Sequence, residues 1–273
     1  FFAGFDHRAA CPADLHIIGK DITRFHSVIW PAMLMAAGEP LPGLVWAHGF
    51  ISLGGERFSK SAGVKLELSD AIDRYGVDAF RYYLLCEVPF DGDGNFSWER
   101  FEEVYTSDLA NTLGNLGSRS IAMIEKYRGS VVPLGSPAPA LWPLHAADLA
   151  RARAAIDGER RFRPHEAIGA LFDAARRTNE YIQRTQPWVM ARDEASAGRL
   201  DEVLHSLAAS LAHFAAWLAP VMPQKMQALW EQLGGPGDVI RVRLDQPIDV
   251  SRWKVAKGAP LFPKPVALEN TTE

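Results

Sequence analysis

A change of pattern at Ser97 does most to limit what this chain can fold into. Before it, short strand-like runs alternate with helical ones; after it, only helical periodicity remains. The first pattern builds a parallel sheet with covering helices, and the second builds a helix bundle. Leu15–Ile18 reads as a short buried strand, Ile22–Ala37 as a helix, and Leu44–Phe50 as a second strand bounded by Pro42-Gly43 and Gly49. Leu53-Gly54-Gly55-Glu56 predicts a tight hairpin, because paired glycines supply the positive φ such turns demand. A polar stretch runs from Arg57 to Lys65, and a helix over Asp78–Cys86 stops before Pro89.

From Ser97, the apolar residues Phe101, Val104, Tyr105, Leu109, Leu113, Leu116, Ile121 and Ile124 recur at spacings of three to five and predict one long helix. Gly129–Pro143 carries four prolines and reads as an extended surface connection. Further helices are expected over Pro164–Arg184, Leu200–Leu218 and Met222–Leu233, ended by Gly234-Gly235-Pro236-Gly237. The predicted architecture is a partial Rossmann-like α/β segment followed by a bundle of about four or five helices. The domain boundaries are expected at 1–97, 98–235 and 236–273, the last being a tail packed back on the others.

Composition narrows the function classes. With 48% hydrophobic residues in 273, the chain can fill a core, and no apolar run is long enough for a membrane helix. The net charge of −4 means that a nucleic-acid partner must be held by a local patch. Two cysteines, Cys11 and Cys86, provide no disulfide framework, which fits a reducing cytoplasm. The chain opens on Phe1 without methionine, and we expect it to be the second part of something longer.

The chemistry concentrates in a few segments. Arg57-Phe58-Ser59-Lys60-Ser61 places a lysine between two small hydroxyls just after a hairpin, a point charge and donors suited to a triphosphate, although a short motif of this kind also occurs in plain solvated turns. Gly19-Lys20-Asp21 stands at the carboxyl end of a predicted parallel strand, where open α/β sheets bind ligands, and an aspartate there can accept from a ribose. Ile22, His26 and Trp30 recur four apart on the following helix, a pattern equally open to a core face. The second strand ends in His48-Gly49-Phe50-Ile51, where the glycine would let a flat ring approach the backbone.

In this order, Gly19-Lys20-Asp21-Ile22, Phe25-His26, Trp30-Pro31-Ala32-Met33-Leu34, His48-Gly49 and Phe58-Ser59-Lys60-Ser61 resemble the run of motifs in class I methionyl-tRNA synthetases. The loop is similar to that family's K-M-S-K-S signature, with Arg57 and Phe58 departing in its first two places. Arg81-Tyr82-Tyr83-Leu84-Leu85 resembles the family's exit from the catalytic domain, Asp108–Arg119 its first anticodon-domain helix, Pro187-Trp188 its anticodon-facing turn, and Gly258–Pro263 the strip where shorter members end. The family's H-I-G-H signature and zinc-bearing insertion would lie before Phe1, so the resemblance is to its carboxyl-terminal half, with no metal site within the chain.

The resemblance implies ATP with Mg2+, methionine and the methionine tRNA as ligands. It assigns Arg57, Ser59, Lys60 and Ser61 to catalysis and Gly19, Lys20, Asp21, His48, Gly49, Ile51 and Lys60 to ATP. It assigns Ile22, His26 and Trp30 to methionine, and Asn115, Arg119, Pro187 and Trp188 to the anticodon. A helical wheel independently turns Asn115 and Arg119 away from Leu113, toward solvent or a base edge. Two alternatives stay open: a tRNA-binding fragment without catalysis, and a related class I ligase with a different acceptor. Three further patterns are weaker. Asp91-Gly92-Asp93-Gly94-Asn95 resembles a calcium loop but has Phe96 where that loop needs glycine. His7, Cys11 and His16 lack a fourth metal partner, and Arg160, Arg161 and Arg163 read as a solvated helix start.

Overall fold

The computed structural model describes residues 11–53, 56–57, 68–90, 92–157, 162–244 and 246–263. Chain contacts divide these into two units, one drawn from Phe1–Val64 and Val88–Phe96 and the other from Lys65–Glu87 and Ser97–Glu273.

In the first unit, strand β1 (His16–Gly19) pairs in parallel with β2 (Val45–His48), in the register His16↔Val45 through Gly19↔His48. The crossover between them is helical, as parallel pairing requires. It begins with a 3-10 turn at Lys20–Ile22, passes through a π turn at Phe25–Ile29, and becomes α1 (Trp30–Ala37), which Gly38 ends at φ 71°. A second sheet has the order β4-β3-β5, with β3 (Ile51–Leu53) antiparallel to β4 (Glu56–Arg57) and parallel to β5 (Gly94–Phe96). Leu53 pairs with Glu56, as the anticipated hairpin requires, and the paired glycines between them lie outside the described residues. The segment that resembled a calcium loop instead supplies β5, and among the described residues no three potential metal ligands cluster.

The second unit opens with α2 (Leu68–Tyr75) and α3 (Val77–Glu87), separated by Gly76 at φ 86°. Sequence reading predicted only the latter. Ala71 and Tyr75, one helical turn apart, give α2 its buried edge. Ser97 caps α4 (Trp98–Val104), its side chain accepting from the Arg100 amide. The same helical rod continues as a π segment over Tyr105–Gly114 and then as α5 (Asn115–Arg128). Leu109, Leu113, Leu116, Ile121 and Ile124 are all buried, as their spacing predicted.

The 129–143 connection is shorter than expected. Its last proline, Pro143, lies in the first turn of α6 (Trp142–Asp157), where a missing N–H costs nothing. The buried positions of that helix are His145, Asp148, Ala152 and Ala155, polar or small, so no apolar period announced it. Then follow α7 (Pro164–Thr185), α8 (Pro187–Met190), α9 (Ala197–Leu218) and α10 (Pro223–Leu233). Every residue of α9 from Val203 onward is buried, and it packs against α5, α7, α8 and α10. Its many alanines and serines let neighbours approach on all sides. The tail returns to this unit: Val250, Val255, Leu261 and Phe262 are buried, and Tyr105 donates its hydroxyl to the Pro263 carbonyl at 2.7 Å. No helix among the described residues is long and apolar enough to cross a membrane.

Candidate active site and nucleic-acid surface

Parallel pairing sets Gly19 beside His48, so two stretches assigned to nucleotide binding end side by side at the carboxyl edge of one sheet. A methyl group placed on Gly19 would lie 2.6 Å from Asp21 Oδ1, so glycine is what allows the carboxylate to fold back against the strand end. His48 turns its Nδ1 to the Gly49 carbonyl at 2.8 Å and sets its ring near that of Phe90.

Gly49 has a different use from the one its sequence suggested. A Cβ there would meet the Gly92 carbonyl oxygen at 1.9 Å, so the chain itself occupies the space expected to admit a flat ring. Lys20 is also engaged: its ammonium lies 2.7 Å from each carboxylate oxygen of Asp93 and 4.9 Å from the centre of the Phe50 ring. Ile51 pairs with Gly94 in β3, and Arg57 pairs with Ser52 in β4. Phe58, Ser59, Lys60 and Ser61 lie outside the described residues, as do His7, Arg160 and Arg161.

Beside the strand ends, His16, Phe25, His26, Ile29, Trp30 and Met33 line a largely apolar pocket of about 270 Å³. His26 and Trp30 were expected there. Ile22 is not part of the lining, although its carbonyl bonds His26 Nδ1 at 3.1 Å. Phe25, Ile29 and Met33 form a four-residue row beside that of His26 and Trp30, so one helical face, running through the π turn, brings all five to the same opening. The rings of His16 and His26 meet edge to face at 5.9 Å. Phe25, Ile29 and Met33 recur four apart as a second row that the sequence reading did not single out, and only His16, which comes from β1, had no such signal. Phe25, Val28, Met33 and Met35 remain more than half exposed, an unusual amount of apolar surface for a unit built on parallel strands.

In the helical unit, Asn115 is exposed and Arg119 half-buried on α5, one turn apart. Helix α7 ends with Gln186 in the left-handed region, at φ 47°; Pro187 is buried at the start of α8, and Trp188 is half-buried. Helices α5 and α8 both pack on α9, which is what holds these two sequence-distant sets in one scaffold.

Residues 9–121 match the family of class I tRNA synthetases (M). The methionine–tRNA ligase of Streptomyces coelicolor is 41% identical over 266 residues, covering 93% of this chain and 49% of that protein. The corresponding ligase of Caldanaerobacter subterraneus is 41% identical over 93% of this chain and 40% of its own length. Among solved structures, Mycobacterium tuberculosis methionyl-tRNA synthetase bound by methionyl-adenylate superimposes with a TM-score of 0.82 at 36% identity, over 94% of this chain and 51% of that one. The chain thus spans about half or less of the length of these relatives.

Proposed function

We propose that this chain, which belongs to the methionyl-tRNA synthetase family, is the carboxyl-terminal half of a cytoplasmic methionine–tRNA ligase. In this reading residues 1–97 complete the catalytic domain, 98–235 read the anticodon, and 236–273 are the tail that follows. The observation that carries the reading is a single stretch of 41% identity running through 93% of the chain, from the strand ends to the last helices. The exposed Phe25, Val28, Met33 and Met35 support it too, because a preceding half of the same sheet would cover them.

The chemistry is activation of methionine by ATP followed by transfer to tRNA. The methionine carboxylate attacks the α-phosphorus, pyrophosphate leaves, and the protein contributes position and charge. Gly19, Asp21 and His48 would receive the nucleoside at the sheet edge, and Ser59, Lys60 and Ser61, with Arg57 before them, would hold the phosphates. The pocket of His26, Trp30, Phe25 and Met33 suits an unbranched thioether, which is polarizable and packs well on aromatic surface. Mg2+ would enter with ATP and offset the charge of its phosphates.

The anticodon reading is tested with this chain alone. Stem-loops carrying C-A-U or an altered anticodon are titrated at fixed salt. Trp188→Ala should weaken C-A-U binding about tenfold or more, the size of one lost base stack. Asn115→Ala and Arg119→Ala should also narrow the preference between the two loops. Equal binding of both loops by the unmodified chain defeats the anticodon assignment.

A further inference from the structure

Asp93 ties three parts of the α/β unit together. Its carboxylate accepts from the Lys20 ammonium at 2.7 Å on both oxygens, and Oδ1 also accepts from the Phe50 backbone amide at 2.7 Å. Lys20 directly follows β1, and Phe50 stands between β2 and the β3–β4 hairpin. The backbone around Asp93 is fixed independently of these bonds. Gly49 leaves room for the Gly92 carbonyl, Gly94 pairs with Ile51, and the Ser52 hydroxyl reaches both the Gly94 carbonyl at 3.1 Å and Asn95 Oδ1 at 3.0 Å.

The Lys20–Asp93 pair is open to water, with side chains 43% and 54% exposed. Such pairs add little to stability, so holding the fold together is a poor account of it. A single exposed carboxylate is also a weaker partner for an ammonium than a polyphosphate with several charges. The hairpin Asp93 fastens ends at Arg57, two residues before Ser59 and three before Lys60 in sequence.

We propose that Asp93 is a positioning residue for nucleotide binding: it holds Lys20 at the sheet edge as a cation that a polyphosphate can take over, and it fastens the start of the hairpin leading into the lysine loop. This rests on the ligase reading above.

The test uses Asp93→Asn, which keeps an acceptor for the Phe50 amide but loses the charge, and Asp93→Ala, which loses both. In the complete ligase, methionine-dependent ATP–pyrophosphate exchange with Asp93→Asn should show KM for ATP raised about tenfold, with KM for methionine within about twofold of the parent. Lys20→Met should give the same effect, and the double variant should add nothing to it. Asp93→Ala should lower kcat as well, and in the 273-residue chain it should speed amide exchange at Phe50, whereas Asp93→Asn should not. An unchanged KM for ATP in Asp93→Asn, or equal rises for ATP and methionine, overturns the inference while leaving the ligase reading intact. A parent enzyme without methionine-dependent exchange overturns the ligase reading and the inference with it.

Discussion

The carboxylate of Asp78 accepts a hydrogen bond from the backbone amide of Lys225 at 2.6 Å, so a residue in the first turn of α3 caps the start of α10. Arg81, one turn along α3, donates from Nε to the Val221 carbonyl at 3.0 Å and from Nη2 to the Pro220 carbonyl at 2.9 Å. One helix thereby satisfies both the amide and the carbonyl groups of the turn between α9 and α10. Asp78 is 1% exposed, so water cannot replace it. Asp78→Ala should cost about 2–3 kcal/mol in urea unfolding, as expected for a buried charge-assisted bond, and Asp78→Asn less. In a cycle with Arg81→Met the two losses should couple, because they hold the same turn.

Acid should loosen the helical unit through His145. Burial, with Arg177 and His213 nearby, holds its imidazole down to about 4 from an ordinary 6.5. Thr178 gives its proton to the Ala174 carbonyl at 2.9 Å, so the His145 Nε2 at 3.2 Å is the donor to Thr178 Oγ1, and the buried Nδ1 would carry a second proton with no acceptor. His213 is lowered in the same direction by burial. Because the folded value lies below the unfolded one, the stabilisation is present at pH 7 and is lost as pH falls from about 6.5 to about 4. The loss from His145 should reach roughly 3 kcal/mol. Urea midpoints across that range should show the slope in the parent chain and a shallower one in His145→Gln.

The lysine loop carries the largest expected catalytic effect. Lys60→Ala in the complete ligase should slow methionine activation by on the order of 3–4 kcal/mol, as for removal of one well-placed electrostatic donor. Arg57→Ala should cost less. A rate within about fivefold of the parent removes Lys60 from the mechanism.

The pocket predicts an order among its neighbours. Trp30→Ala and Met33→Ala remove lining and should raise KM for methionine by about tenfold, whereas Ile22→Ala, outside the lining, should change it less. Discrimination against an analogue one methylene different should stay within about 1–3 kcal/mol, since an apolar pocket separates such neighbours weakly. Steady-state exchange kinetics with methionine and its homologue measure both.

Residue pattern alone determined the change from α/β to helical order at Ser97, the start of that helix, the hairpin pairing of Leu53 with Glu56, the buried face of α5, and the existence of α7, α9 and α10. These follow from interactions within a few residues, where side-chain period and cap chemistry act directly. Helix α6 escaped because its inward face is His145, Asp148, Ala152 and Ala155, whose burial depends on partners such as Arg177 and Thr178 brought by α7. The tertiary structure alone revealed that Gly49 makes room for Gly92 and that Asp93 takes Lys20, since each joins segments more than forty residues apart in sequence. It also decided that Phe25, Ile29 and Met33 open onto the same pocket as His26 and Trp30, with His16 joining them from β1. The sequence carries two four-residue rows, one of Ile22, His26 and Trp30 and one of Phe25, Ile29 and Met33, and a repeat marks a helical face without saying what that face meets, so only packing shows which members reach the pocket.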